Sequence, residues 1–189
     1  MQFTITAILT TLITITAAAP APQLPAAQDP AYFGLLALHS GSGVHLSSFS
    51  AALGSIFAGL PSQNASCDVQ DTNTATFYVK DGGLYLYAAS ATPQQAYVDR
   101  SGLGQGKFGY TTGAQGAPHN AERIGWAVTN GDLTFDNSTL IACPNSIQGS
   151  WSIWVDTGIA NPASNTNCTG ITARAVETTT PVGCVYTSN

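Results

Sequence analysis

The sequence predicts an all-β protein, and three observations carry that reading. Short apolar, aromatic and β-branched runs recur along the chain, bounded by Gly, Asn, Asp, Pro and Ser. Two of them, TFYVKDGGLYLY at Thr76–Tyr87 and GWAVTNGDLTF at Gly125–Phe135, flank an Asp-Gly or Asn-Gly pair. Such a pair between alternating hydrophobics is the strongest short-range hairpin signal, because both turn residues tolerate positive φ. No stretch carries a helical apolar period with caps, and Ala51–Phe57 suggests a single turn. A looser copy of the hairpin pattern, LALHSGSGVHL, occupies Leu36–Leu46. Leu46 to Leu86 is 86 − 46 = 40 positions and Leu86 to Phe135 is 135 − 86 = 49, a period at which supersecondary units repeat. The expected architecture is one compact domain of short strands, a β-trefoil favoured and a two-sheet β-sandwich the alternative.

In chain order, residues 1–19 (MQFTITAILTTLITITAAA) have an apolar middle and a small-residue end, as a secretory signal peptide does. Residues 20–31 form a Pro- and Ala-rich leader with no periodic pattern, and residues 32–189 form the domain. Strands are expected at Phe33–Leu38, Val44–Phe49, Ser55–Phe57, Ala75–Val79, Leu84–Ala88, Gln95–Val98, Phe108–Tyr110, Arg123–Val128, Leu133–Phe135, Leu140–Ala142, Ser150–Val155 and Ile171–Val176. Side chains alternate along a strand, so Leu84 and Leu86 share one face and Tyr85 and Tyr87 the other. By the same rule Trp151 keeps phase with Ile153 and Val155 toward the core, and Trp154 takes the outer face.

Charged residues make up only 8% of the 189, with a net charge of −5. Five Lys and Arg, none clustered, exclude a nucleic-acid surface, which needs a basic patch to neutralise phosphates. The same count excludes a polybasic membrane contact. Cys67, Cys143, Cys168 and Cys184 form an even set in a secreted chain and imply two disulfides with three possible connectivities. None of their spacings suits zinc. Asn64, Asn137 and Asn167 each head an Asn-x-Ser/Thr sequon and are candidate glycosylation sites.

Catalytic chemistry is hard to find. There is no G-x-S-x-G elbow, and only ten carboxylates, of which Asp81 and Asp132 sit in or beside turns. Asp99-Arg100 and Glu122-Arg123 are candidate ion pairs. His39 and His45 flank the first turn and could share a metal, yet no third ligand is visible, so no metal site is expected. Gly104-x-Gly106-x-x-Gly109 matches the dinucleotide fingerprint only formally, since no helix follows to receive a pyrophosphate; it predicts a tight loop and no cofactor. Aromatics remain: Tyr85, Tyr87, Tyr97, Tyr110, Trp126, Trp151 and Trp154 could stack on sugar rings, although half or more should fill the core. Tyr85, Tyr87, Tyr110 and Trp154 are the candidate ligand-binding residues.

Four long blocks then add up to a resemblance. FGLLALHSGSGVHLSSFSAA at Phe33–Ala52, IFAGLPSQNASCD at Ile56–Asp68, LYLYAASATPQQAYVDRSGLGQGKFGYTTGAQ at Leu84–Gln115 and LIACPNSIQGSWSIWVDTGIANPASNTNC at Leu140–Cys168 resemble the PhiA cell wall proteins of filamentous fungi. That resemblance implies a secreted, wall-associated, non-catalytic protein. It also implies a role in forming phialides and conidia, and family members known as allergens. Its expected partners are wall polysaccharide or other wall proteins. A weaker similarity is to the C-terminal four-cysteine domain of PIR wall proteins, with cysteine gaps here of 143 − 67 = 76, 168 − 143 = 25 and 184 − 168 = 16. The chain lacks the glutamine-containing repeats through which PIR proteins attach to β-glucan. A carbohydrate-binding module for glucan or chitin is the alternative function, and a small secreted hydrolase the second.

Overall fold

A computed structural model describes residues 31–188. The segment read as a signal peptide and all of the leader but Ala31 lie outside the described residues.

The described chain is built from strands β1 (Tyr32–Leu38), β2 (Phe49–Ala52), β3 (Ser55–Ala58), β4 (Ser66–Cys67), β5 (Phe77–Lys80), β6 (Gly83–Leu86), β7 (Gln94–Asp99), β8 (Lys107–Thr112), β9 (Ala121–Glu122), β10 (Trp126–Thr129), β11 (Asp132–Phe135), β12 (Leu140–Cys143), β13 (Trp151–Val155), β14 (Thr169–Glu177) and β15 (Cys184–Val185). Two short 3-10 turns, Ile147–Gly149 and Pro162–Ser164, are its only helical elements. The all-β expectation holds, in a single compact domain.

Hydrogen bonding passes from β1 through β5, β6, β7, β8, β3, β13, β12 and β14, and β14 pairs again with β1. The strands thus close a ring, which leaves few unpaired backbone edges around it. β10 and β11 form a hairpin attached through β11 to β14, while β4 and β15 make a separate two-stranded sheet. Inside the ring lies one hydrophobic cluster that includes Leu35, Phe49, Ile56, Phe77, Phe108, Trp126, Phe135 and Ile153. β1 shows how it is supplied: Phe33, Leu35 and Ala37 are buried, and the residues between them are half-exposed.

Both Gly-containing turns form as their sequences require. Asp81 and Gly82 have φ of 51° and 74°, and Asn130 and Gly131 have 54° and 83°. Two successive positive φ values match the right-handed twist of the strands they join. The looser third copy is not a strand hairpin. After β1 the chain makes successive turns from Gly41 to Leu46, returning antiparallel only at a bridge between Leu36 and Ser48. Val44–Phe49 is therefore not a strand, although Val44 is fully buried. Ala51–Phe57, read as a turn, holds instead most of the β2–β3 hairpin, whose corner is Leu53-Gly54 at φ 48° and 65°. The strand expected at Ser55–Phe57 is β3; a leucine in the left-handed region carries no sequence signal, which is why its pairing with β2 was not legible.

The glycines of the 104–109 segment serve close packing. A Cβ on Gly106 (φ 92°) would stand 2.1 Å from the Val155 carbonyl oxygen, and one on Gly104 would strike the Asp99 side chain. The Gly106 carbonyl accepts the Val155 N–H at 2.8 Å, tying the β7–β8 loop to β13.

Candidate functional site

The most distinctive surface feature follows from strand register. A two-residue turn at 81 and 82 pairs residues whose numbers sum to 163, so Tyr78 stands opposite Tyr85, and β1 places Tyr32 opposite Tyr78. All three point outward, and Tyr87 follows Tyr85 on the same side. The rings touch in series: Tyr87 to Tyr32 at 4.6 Å, Tyr32 to Tyr78 at 5.7 Å and Tyr78 to Tyr85 at 5.2 Å between centroids. Each of the four is half-buried. Interplanar angles of 54°, 71° and 13° show that the row is not a flat platform; Tyr78 and Tyr85 stack, and Tyr32 meets Tyr78 edge-on. Burial, with smaller contributions from Tyr85 and Tyr32, raises the Tyr78 phenol above its ordinary value.

Polar groups continue the row across the next two strands. Tyr85 pairs with Gln95 on β7, and Gln95 with Thr111 on β8. Arg123 clamps both, its guanidinium donating to Gln95 Oε1 at 2.8 Å and Thr111 Oγ1 at 2.7 Å. Five adjacent strands thus carry a strip that is aromatic at one end and amide, hydroxyl and guanidinium at the other. Tyr32, Tyr78, Gln95 and Arg123 were missed from the sequence, although the turn register alone was enough to place Tyr78 beside Tyr85.

Two of the predicted ligand-binding residues are elsewhere. Tyr110 is 2% exposed, and its hydroxyl donates to the Thr187 carbonyl. Trp154 does sit on the outer side, away from the main core, but it is covered. It packs against Ile141 and the cysteines Cys143 and Cys168, and Lys107 Nζ lies 5.4 Å over its ring. With the Cys143–Cys168 disulfide and Ile141 packed against the ring and Lys107 over it, Trp154 is only 8% exposed and offers no open face to a sugar. Lys107 donates to Ser55 Oγ at 2.8 Å, and burial lowers its pKa. Tyr97 and Trp126 are also core, whereas Trp151 is half-buried.

The cysteines resolve into Cys67–Cys184, separated by 117 residues, and Cys143–Cys168, separated by 25. The first bond lies in the β4–β15 ladder and holds the C-terminal tail against the barrel. Gln94, 1% exposed, completes that attachment: its Oε1 accepts the Tyr186 N–H at 2.8 Å and its Nε2 donates to the Tyr186 carbonyl at 2.9 Å. One side-chain amide thus does for the tail what a neighbouring strand would do. Tyr186 in turn is pushed up to about 12 by burial, and its hydroxyl oxygen accepts the Thr76 N–H at 3.2 Å.

Asn64, Asn137 and Asn167 are all exposed and all adopt positive φ, at 47°, 64° and 55°, which places each sequon in a surface turn. His39 and His45 are also engaged locally. His39 Nδ1 donates to the Gly170 carbonyl at 2.6 Å, and His45 Nδ1 accepts the His39 backbone N–H at 3.2 Å. Among the described residues no group of three or more His, Cys, Asp or Glu is placed to hold a metal ion.

The two expected ion pairs do not form between sequence neighbours. Arg100 instead bonds Glu122 through both carboxylate oxygens, at 2.9 and 2.5 Å, and Asp136 at 2.8 Å. Successive strand residues point to opposite faces, so partners come from other strands. Hydrogen bonding from Arg100 holds the Glu122 carboxyl below its ordinary range, partly opposed by desolvation. Asp132 pairs with Arg174 at 2.7 Å.

A closed all-β domain with two disulfides, exposed sequons and an aromatic strip defines a small extracellular domain of the non-cytosolic, disulfide-stapled class. Residues 33–187 match the family model described as PhiA-like secreted protein, and the chain belongs to that family. It is 62% identical over 173 residues to the cell wall protein phiA of Aspergillus fumigatus, covering 91% of this chain and 92% of that protein. It is 58% identical to the cell wall protein phiA of Aspergillus niger, covering 93% of this chain and 97% of that protein. For the protein of that name in Emericella nidulans the identity is 51%, over the full length of both chains. No solved structure is a significant match. Secretion and wall association, as expected from the sequence, are the family's and the relatives' described location.

Proposed function

We propose that this is a non-catalytic component of the fungal cell wall that acts in asexual development, in forming phialides and conidia, by residing in the wall matrix. The observation that carries the reading is identity of 51–62% to named cell wall proteins over nearly the whole chain. The engagement of its acidic and imidazole groups supports a non-catalytic role. Asp81 is a turn former, Glu122 and Asp136 hold Arg100, and His39 Nδ1 is occupied by a backbone carbonyl. N-glycans on Asn64, Asn137 and Asn167 would suit an extracellular protein of low surface charge.

A second reading rests on the tyrosine strip: it would contact wall glucan or chitin, with ring edges and faces against sugar C–H groups and Gln95 and Arg123 to their hydroxyls. One strain set tests both. Deletion should lower conidial yield, with the protein recovered from wall or medium of the complemented strain. Undiminished yield removes the developmental role, and recovery only from cytosol removes the wall location. Purified Tyr78→Ala/Tyr85→Ala protein should lose retention on insoluble glucan or chitin; equal retention of variant and wild type removes the strip.

A further inference from the structure

A cleft opens on the surface where β11 and β12 diverge along β14. β11 pairs with Ala173 and Arg174 and β12 with Thr169, Gly170 and Ile171, so Thr172 falls between the two ladders. The space left there is about 240 Å³, and Asn130, Asp132, Thr134, Asn137, Thr139 and Thr172 are among the residues lining it. It is below the roughly 300–1,000 Å³ of a drug-sized ligand site and suits a single sugar ring. Its hydroxyl, amide and carboxylate groups are those that hydrogen-bond sugar hydroxyls. Strands β10, β11 and β14 supply most of the wall, which makes the cleft more rigid than one built from a loop.

A sequon asparagine stands in that lining. Asp136 and Asn137, at φ of 46° and 64°, form a two-residue turn closed in both directions. The Phe135 N–H donates to the Ser138 carbonyl at 3.1 Å, and the Ser138 N–H to the Phe135 carbonyl at 2.8 Å. Asn137 is exposed, so its amide is held beside the cleft and open to modification. Asn64 borders a larger cavity, of about 440 Å³, but the walls of that one all come from the segment between Pro61 and Asn73.

We propose that the first N-acetylglucosamine of a glycan on Asn137 folds back into this cleft, its hydroxyl and acetamide groups bonded to Thr134, Thr172 and Asn130. The inference rests on the reading of Asn137 as a glycosylation site and adds where the sugar lies. In the attachment step Asn137 Nδ2 displaces the diphosphate of a lipid-linked oligosaccharide; the N–C1 bond forms, the C1–O bond breaks and one amide proton leaves.

The secreted glycoprotein tests it. Peptide mapping after enzymatic glycan release in heavy-oxygen water shows whether Asn137 carries a sugar; an unmodified Asn137 overturns both the sequon reading at this position and the cleft. In protein trimmed to one N-acetylglucosamine per site, NOEs should join sugar protons to the Thr134 and Thr172 methyls and vanish in Asn137→Gln. The urea midpoint should survive trimming and fall in Asn137→Gln. Thr134→Lys, at a half-exposed position outside the sequon, should keep the glycan yet lower the midpoint as well. The two losses should not add in the double variant, because each empties the same cleft. A glycan on Asn137 without those NOEs, or losses that add in full, overturns the cleft and leaves the glycosylation standing.

Discussion

Removing Cys67–Cys184 should destabilise the domain more than removing Cys143–Cys168, by an amount set by loop length. The shorter loop lies wholly inside the longer, so with it closed the outer crosslink constrains effectively 117 − 25 = 92 residues. In the chain-entropy description, a loop of that length contributes about 4.6 kcal/mol at 25 °C, and the inner bond, removed with the outer one in place, about 3.3. The gap, 1.5RT ln(117/25), is about 1.4 kcal/mol, since the two variants differ only in which loop stays closed. Packing losses are matched because Cys184 and Cys143 are both fully buried, so Cys67→Ala/Cys184→Ala and Cys143→Ala/Cys168→Ala can be compared directly. Urea unfolding followed by tryptophan fluorescence is the assay. Both variants should show a lower midpoint and a larger m-value, since the unfolded chain expands when a crosslink is lost, with the outer variant affected more on both counts. An inner variant that loses as much stability as the outer, or an unchanged m-value in both, refutes the loop-closure reasoning. The Gln94 clamp would then be the stronger tie on the tail.

Two further predictions rest on single residues. Tyr186 ionises at 10.0 when unfolded and at about 12 when folded, so above pH 10 the unfolded state binds fewer protons and stability falls as pH rises toward 12, by up to about 1.4 kcal/mol per pH unit. Tyr110, also raised by burial, adds to the loss; urea midpoints measured from pH 8 to 12 should stay level below 10 and fall above it, less steeply in Tyr186→Phe, and a flat profile would refute the assignment. Gly106→Ala should cost 2 kcal/mol or more (an order-of-magnitude figure, about what strained backbone plus overpacking costs), because its Cβ would stand 2.1 Å from the Val155 carbonyl, and a midpoint unchanged from wild type would refute that contact.

Much of the architecture was legible because it is local. Asp81-Gly82 and Asn130-Gly131 specify their turns by the φ values they tolerate, and the turns specify the register of the strands they join. Alternation placed Leu84 and Leu86 inside and Tyr85 outside. The β2–β3 hairpin escaped notice because Leu53 turns it in a conformation that its side chain disfavours, held by the Thr187 hydroxyl accepting its N–H at 3.0 Å. The two-residue strands β4, β9 and β15 are too short to carry any period.

Composition, cysteine parity and turn chemistry by themselves determined an all-β, disulfide-bonded, extracellular class and paired Tyr78 with Tyr85, since each depends only on residue type and near neighbours. Three matters awaited the tertiary structure: which cysteines pair, whether an outward tryptophan is covered, and where two strand edges approach without bonding. Each depends on contacts between segments far apart in the chain. Trp154 faces outward as alternation requires, and only the Cys143–Cys168 loop, folded over it with Lys107, decides that no ligand can lie there. The gap between β5 and β10 exists because the β10–β11 hairpin, attached through β11 to β14, lies beside β5 without a ladder between them, a geometry that no local pattern encodes.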